Sequence, residues 1–449
     1  MRPQGSGPPP GLPERRRPHG GAPIQIGLLG CGIVGGGVVS LLMQRAERFR
    51  ERVGVPLELR RVLVRDIDKA RVADLPKSLL TSDADSVLSD PEIDIYVEVM
   101  GGEALAGQAV IRALESDRAV VTANKALLAK RGPELLALAL ERKVDLSFEA
   151  AVGGGIPIVR TLRDAFASDE VTELVGILNG TSNYILTRMV DDGASFEAAL
   201  AEAQAKGFAE ADPSLDIDGH DAAQKLLVLS MLAFGVEPPK DGILVEGIRG
   251  LDLFDVKMAD RFGMTLKHLV VGRDHGTAIE LRAHPALVKK TSVFSNVSGS
   301  LNAVRLEGRA LGPCLLSGRG AGDMPTAVSV VADILDVARN LVAGVPGLAT
   351  RGRALAARPV LSPDETRLCY YLRLRVRDEP GVMANIAGAL SAEGVSLSQI
   401  IQTEGVDGIA DVVLLTHVAR EGSVTAALGA IGRASYLAKP PVLLRIEDI

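Results

Sequence analysis

Over its first third the chain alternates short apolar runs with amphipathic stretches, and that alternation predicts most of its elements. IQIGLLG (Ile24 to Gly30), Leu57 to Val64, IDIYVEVM (Ile93 to Met100) and AVVTA (Ala119 to Ala123) read as strands. Helices are expected from about Gly35, near Ser82 to Ser89, around Ala104 to Glu115 and from about Pro133 to Glu141. Strands and helices in this order predict an α/β, doubly wound nucleotide-binding fold of Rossmann type over residues 23–150. After VDLSFEAAVGGGIPI the helices lengthen and strand alternation weakens, which fits a second, α+β domain from 151 to 317. Gly344 to Pro363, short of bulky apolar residues and punctuated by glycine and proline, reads as part of a linker over 343–367. Residues 368–449 then give the order βαββαβ, a ferredoxin-like arrangement.

Residues 1–22, MRPQGSGPPPGLPERRRPHGGA, hold too little apolar surface to offset their ordering entropy and are expected to be a disordered tail. An arginine-rich transit peptide is the rival reading, but prolines interrupt any amphipathic helix there. At 449 residues the chain exceeds one ordinary hydrophobic core, so two or three domains are expected. Hydrophobic residues make up 47% and no uncharged apolar run approaches a membrane span, which points to a cytoplasmic protein without a membrane partner. The 50 Lys+Arg against 56 Asp+Glu leave a net charge of -6 with no basic patch, so nucleic acid is disfavoured as a partner. Cys31, Cys314 and Cys369 lie far apart without metal-ligand spacing and read as packing residues of a reducing compartment.

Candidate chemistry gathers in three places. Gly30-Cys31-Gly32-Ile33-Val34-Gly35 is a GxGxxG that follows a strand and opens a helix. Gly30 permits the tight turn, Gly32 lets a pyrophosphate approach the backbone, and Gly35 allows close packing of helix on strand. The second strand ends in Val64-Arg65-Asp66. Arg65 there would pair with the 2′-phosphate of NADP, whereas Asp66 would accept from the 2′-hydroxyl of NAD. Asp66 lies beyond the usual spacing of about 20 residues, so the intervening helix and loop must be long; NADP is weakly preferred over NAD. Lys125, in Thr122-Ala123-Asn124-Lys125, follows a strand at the carboxyl edge of the sheet, where it could face a nicotinamide and an anionic substrate; a plain surface lysine is the other reading.

The third place is KGFAEADPSLDIDGHDAAQK, with five acids from Glu210 to Asp221. Asp218 looks like the N-cap of a helix running through Phe234, with Gly235 ending it. Asp221 and Lys225 then share one helical face at i,i+4, and spacing alone admits a surface ion pair as readily as catalysis. A calcium loop is disfavoured because the acids lack EF-hand spacing and a closing glutamate.

Taken in order, GCGIVG, TANKALLA, FEAAVGGGIPI, GILNGTSNYIL, KGFAEADPSLDIDGHDAAQK and GRGAG resemble the homoserine dehydrogenases, and RDEPGV (Arg377 to Val382) resembles the opening of an ACT domain over 368–449. The resemblance implies NAD(P)H-dependent reduction of L-aspartate 4-semialdehyde to L-homoserine, on the way to threonine, methionine and isoleucine. By motif, it implies that Glu210 holds the substrate amino group, that Asp216 and Asp221 complete its network, and that Lys125 and Lys225 flank the reacting carbon. A lysine among carboxylates can pass a proton to a developing alkoxide, so Lys225 is the expected donor, with Lys125 assisting. Glu149, Val152, Gly154 and Ile156 match positions that hold a monovalent cation, expected to be sodium; a glycine-rich hinge is the other reading of that turn. Gly322, in Gly318-Arg319-Gly320-Ala321-Gly322, is expected in a return loop near the nicotinamide, and about 318–342 then completes the nucleotide domain. The ACT resemblance implies threonine as effector, and the family a homodimer or homotetramer. A thioester-forming semialdehyde dehydrogenase is disfavoured because no cysteine is placed with a histidine partner. A non-enzymatic amino-acid sensor with a vestigial nucleotide fold is disfavoured because such a protein has no need of Lys125, Glu210, Asp221 and Lys225 together.

Overall fold

A computed structural model of the chain describes residues 21–69, 75–239, 242–350, 355–403 and 407–449; the tail expected over 1–22 lies, but for its last two residues, outside them. Contacts gather the chain into two compact units: Met1–Glu170 with Leu227–Pro238 and Leu316–Ala357, and Val171–Leu226 with Pro239–Leu315 and Arg358–Ile449.

The first unit is built on β1 (Ile24–Leu29), β2 (Leu57–Leu63), β3 (Leu80–Thr81), β4 (Ile95–Glu98), β5 (Ala119–Thr122) and β6 (Leu146–Ser147), in the spatial order β3-β2-β1-β4-β5-β6. Every neighbouring pair is parallel. This is the doubly wound order, with its crevice beside β1 where the strand order reverses. Ile24, Ile26 and Leu28 of β1 are fully buried, as a strand covered on both faces requires. Two helices, Ile33–Gln44 and Ala46–Val53, separate β1 from β2 and account for the long spacing to Asp66. The helix Asp323–Val342 packs on the first of them through Val330, Ile334 and Val337. A Cβ on Gly37 would stand 2.8 Å from that of Ala327, so the two helices meet at van der Waals contact.

One helix differs from expectation: it spans Lys125–Arg142 and contains Pro133, rather than starting there. Asn124 caps it, its side-chain oxygen accepting from the Leu127 amide at 3.1 Å. Burial of Leu127, Leu128 and Leu135 on one face outweighs the hydrogen bond that proline removes.

The second unit, which takes in β12 only as far as Leu315, is built on one sheet that combines β7 (Val171–Ile177), β8 (Leu244–Val245), β9 (Met264–Asp274), β10 (Ile279–Lys289), β11 (Leu301–Gly308), β12 (Gly312–Arg319), β13 (Arg367–Arg377), β14 (Leu397–Gln402), β15 (Ile409–Thr416), β16 (Ala419–Arg420) and β17 (Val442–Glu447). The path is β12-β11-β7-β9-β10-β17-β13-β15-β14, with β8 on β10 and β16 on β13. β9 and β10 pair over eleven residues each and are buried almost throughout. Helical residues such as Tyr184 and Met189 cover one face, and Phe294 and Ala303 lie in the cluster on the other. No alternation can survive two covered faces, which explains the weak strand signal in this stretch.

The C-terminal βαββαβ segment folds as the ferredoxin-like pattern requires, with helices Val382–Ala392 and Glu421–Ile431 over its strands. It is not a body apart, because β17 pairs with β10 in parallel, Ala286 opposite Arg445 and Val288 opposite Glu447. Part of the stretch read as linker is also tied down, by bridges of Ala356 to Val236 and of Val360 to Ile279. Among the described residues no helix is long and apolar enough to cross a membrane.

Candidate active site

In the first unit, three loops converge at the carboxyl edge of the parallel sheet. Gly30 has φ +99°, and a Cβ there would stand 2.9 Å from the Val99 carbonyl; a Cβ on Gly35 would collide with the Gly30 carbonyl. These two glycines are demanded by the protein's own packing. Gly32 is not: it is exposed, and nothing lies within 4 Å of where its Cβ would be. The open space lies at the start of the helix Ile33–Gln44, which has no side-chain cap and whose first amides have no acceptor within the helix, the arrangement a pyrophosphate uses. Ile33 is 73% exposed beside it, and Val34 is half-buried against the core.

Glu98, fully buried at the end of β4, ties the loops together. One carboxylate oxygen accepts from the Met100 and Gly101 amides at 2.9 and 3.2 Å, and the other from Thr122 Oγ1 at 2.7 Å. Asn124 Nδ2 donates to the Gly102 carbonyl at 2.6 Å, so Lys125 starts its helix from an anchored turn. Sequence reading missed Glu98, because an acid at the end of an apolar strand gives no sign of the amides it will meet. Arg65 is exposed and makes no ion pair among the described residues, whereas the Asp66 carboxylate accepts from the Asp68 amide at 2.9 Å within its own turn. Gly322, at φ +121°, immediately precedes the helix Asp323–Val342.

The turn that carries Glu149, Val152, Gly154 and Ile156 lies in the same unit. Val159 and Arg160 amides donate to the two Glu149 carboxylate oxygens at 3.0 and 2.8 Å, and Arg160 Nε lies 3.8 Å away. Burial pushes this carboxyl upward against those stabilising groups. Gly154 O accepts from Ser329 Oγ at 2.6 Å and Ile156 O from the Ile158 amide at 2.8 Å. Each Glu149 oxygen accepts only one amide and, like a carbonyl oxygen, keeps a further lone pair, so a cation at this turn would rest on carbonyl oxygens together with that carboxylate. Among the described residues no three His, Cys, Asp or Glu side chains are arranged to hold a metal.

In the second unit a chain of polar groups runs through buried surroundings. Lys225 is 9% exposed, and its Nζ donates to the Leu178 carbonyl and to Asp221 Oδ2, each at 2.7 Å. Asn179 Nδ2 donates to the same Asp221 oxygen and to Asp216 Oδ1, again at 2.7 Å each. Burial raises the Asp216 carboxyl above the usual range, and the neighbouring Asp221 adds to it. The i,i+4 pair of Asp221 and Lys225 is thus an interior pair, not a surface one. Asn179, also missed by sequence reading, caps the helix Gly180–Asp192 by accepting from the Ser182 amide at 2.7 Å. Its place before Gly-Thr-Ser signals a cap; its bridge between two acids depends on residues some forty positions away.

Two sequence-predicted acids fall elsewhere. Asp218 does not cap the long helix, which spans His220–Phe234; it ends the short helix Ser214–Ile217, and the Arg249 guanidinium holds its carboxylate. Gly235, at φ +65°, does end the long helix. Glu210 is exposed, with its carbonyl accepting from Gln204 Nε2 at 3.2 Å, outside the hydrogen-bonded chain of Lys225.

A glycine turn at the switch point of a doubly wound sheet and an interior lysine–carboxylate cluster, on a chain that ends in a ferredoxin-like module, define a dinucleotide-dependent oxidoreductase. Comparison with known proteins makes the class specific. Residues 30–149 match the family model "Homoserine dehydrogenase, NAD binding domain", 157–335 match "Homoserine dehydrogenase", and 370–433 match "ACT domain". The homoserine dehydrogenase of Neisseria gonorrhoeae is 40% identical over 432 residues, 95% of this chain and 99% of that one. That of Bacillus subtilis is 40% identical over 88% of this chain and 91% of that one. The crystal structure of a homoserine dehydrogenase from Thiobacillus denitrificans superposes with a TM-score of 0.88 at 42% identity, covering 95% and 99% of the two chains. The chain belongs to the homoserine dehydrogenase family.

Proposed function

We propose that Lys225 is the proton donor in the reversible, NAD(P)H-dependent reduction of L-aspartate 4-semialdehyde to L-homoserine. The supporting observation is its ammonium group, buried with two of three donors held by Leu178 O and Asp221. The third can reach a substrate oxygen. A reduced nicotinamide held at the glycine turn of Gly30, Gly32 and Gly35 would supply the hydride for the aldehyde carbon. Lys225 then gives its proton to the carbonyl oxygen as that oxygen gains the electron pair, and Asp221, anchored through Asn179 and Asp216, keeps the lysine in place. Glu210 is assigned to the substrate ammonium. Lys125, at the carboxyl edge of the parallel sheet, is assigned to assist with the anionic group, and Gly322 to the return loop near the nicotinamide.

An exposed Arg65 that makes no ion pair among the described residues favours NADP, since it can pair with a 2′-phosphate. Oxidation of L-homoserine followed with NAD and NADP in parallel tests the whole reading. Arg65→Ser is expected to raise the KM for NADP by about 10-fold or more, the loss of one charge-assisted contact, and to leave that for NAD unchanged. Turnover with neither cofactor in a folded sample would remove the assignment.

Three further roles belong to the same reading. Sodium held by Glu149 and the carbonyls of Val152, Gly154 and Ile156 should raise the melting temperature relative to choline. Threonine at the turn before the helix Val382–Ala392, where Gly381 takes φ +90°, should lower turnover. Light scattering should give a homodimer or homotetramer.

A further inference from the structure

β10 carries two strands end to end along one edge. β8 pairs with Arg282 and Ala283, and β17 with Ala286, Leu287 and Val288, both in parallel. The chain leaves β8 at Glu246, whose amide still donates to the Ala283 carbonyl at 2.8 Å, beside the place where β17 presents Arg445. Arg445 donates to the two Glu246 carboxylate oxygens at 2.7 and 3.0 Å, a bidentate pair. Its Nε donates to Glu421 at 2.8 and 3.0 Å, at the start of the helix Glu421–Ile431. The Arg445 side chain is 3% exposed and that of Glu246 40%, so the seam is buried on one side only.

From Glu246 the contact continues through the main chain. Its carbonyl lies 2.9 Å from His268 Nε2. A carbonyl can only accept, so that nitrogen carries the proton, and burial holds the ring neutral, with its pKa lowered to about 4. A Cβ on Gly219 would stand 2.8 Å from the Glu246 carbonyl oxygen and 3.2 Å from His268 Nε2. A Cβ on Gly247 would collide with the Ile217 carbonyl and with Asp218, and the Ile248 amide donates to Ile217 O at 2.8 Å. Gly219 lies between Asp216 and Asp221. The backbone that aims both carboxylates toward Asn179 therefore rests directly on residues 246–248.

We propose that the Glu246–Arg445 ion pair positions the Asp216–Asp221–Lys225 cluster, so that the C-terminal module sets the register of the substrate loop. Glu246 and Arg445 are positioning residues; the inference rests on the assignment of that cluster as the catalytic site. If the pair only fastened β17 to the sheet, its loss would appear in stability alone. Arg282 and Glu447 already fasten that strand through a contact of their own, at 2.6 Å.

Glu246→Gln, Arg445→Met and the double variant are compared with the parent protein in homoserine oxidation, with Lys225→Met as reference. Each single change is expected to lower kcat/KM for homoserine by about 10- to 100-fold, the effect of a small misplacement at a reacting centre, with the KM for the nicotinamide cofactor unchanged. The double variant should lose no more than the worse single one, because both act through one contact. Unchanged kinetics with a lower melting temperature would overturn the proposal. So would equal losses toward homoserine and cofactor. Should Arg445→Met fail to fold, Glu246→Gln carries the test on a half-exposed side chain, and Gly219→Ala is expected to give the same selective loss. Full activity in Lys225→Met would instead strike the catalytic assignment itself, an outcome distinguishable from failure at the seam.

Discussion

Lys225→Met is expected to lower kcat for homoserine oxidation by about 10²- to 10⁴-fold, the range for loss of a positioned general acid or base, while the KM for the cofactor stays near the parent value. Methionine keeps the length of the side chain and avoids a large cavity, so the loss would report chemistry. Lys225→Arg should fail to restore it. A guanidinium can meet Asp221 and the Leu178 carbonyl but does not release a proton near neutral pH. Steady-state rates with saturating cofactor decide the matter. A variant that keeps more than about a tenth of the parent kcat would leave no place for Lys225 as donor, given the minimum effect of such a group. Some loss of stability should accompany the change, because Asp221 would keep its donor from Asn179 and lose its cation.

Glu447→Gln is expected to cost about 3–5 kcal/mol of stability at neutral pH, the usual result of removing one partner from a buried ion pair. Glu447 is 1% exposed at the end of β17. Its oxygens face Arg282 Nη1 at 2.6 Å, Arg273 Nη2 at 3.0 Å and His284 Nε2 at 3.5 Å. Burial pushes this carboxyl upward, but Arg282, His284 and Arg273 more than reverse that and hold it far below the carboxylate range. A group whose folded pKa is depressed stabilises above its unfolded pKa, about 4.3 for a glutamate, and loses that contribution as the pH falls further. The gap in urea midpoint between parent and variant should therefore be full at pH 6 and above, and narrow as the pH is lowered through 4 toward 3. A gap independent of pH would mean that the variant loses packing rather than charge. The variant should also separate the C-terminal module from β10 more readily, since Glu447 stands opposite Val288 at the end of that pairing.

Much of the first unit was legible because local chemistry and global position coincide there. β1 is an apolar run followed at once by the glycines that its turn and helix require, so Gly30 and Gly35 announce themselves before any tertiary contact is known. The lysine helix shows the opposite case. Pro133 suggests a helix start, and only the Asn124 cap and the buried face of Leu127, Leu128 and Leu135 show that the helix has already run for two turns. In the second unit β9 and β10 are covered on both faces yet carry Lys267, His268, Glu280, Arg282 and His284 inside, so neither alternation nor a continuous apolar run marks them.

Local pattern along the chain was enough for the doubly wound sheet, the glycine turn for a dinucleotide, the helical face shared by Asp221 and Lys225, and the βαββαβ order of the C-terminal segment. Each of these depends on neighbours within a few residues, or on a periodicity that repeats along one element. Folding was needed to bury Lys225 against Leu178 O, to join Asp216 to Asp221 through Asn179, to bring Arg249 to Asp218, and to set β17 beside β10. Those contacts link residues about thirty to about 160 positions apart. They form only once burial removes water and each polar group must find its partner within the fold.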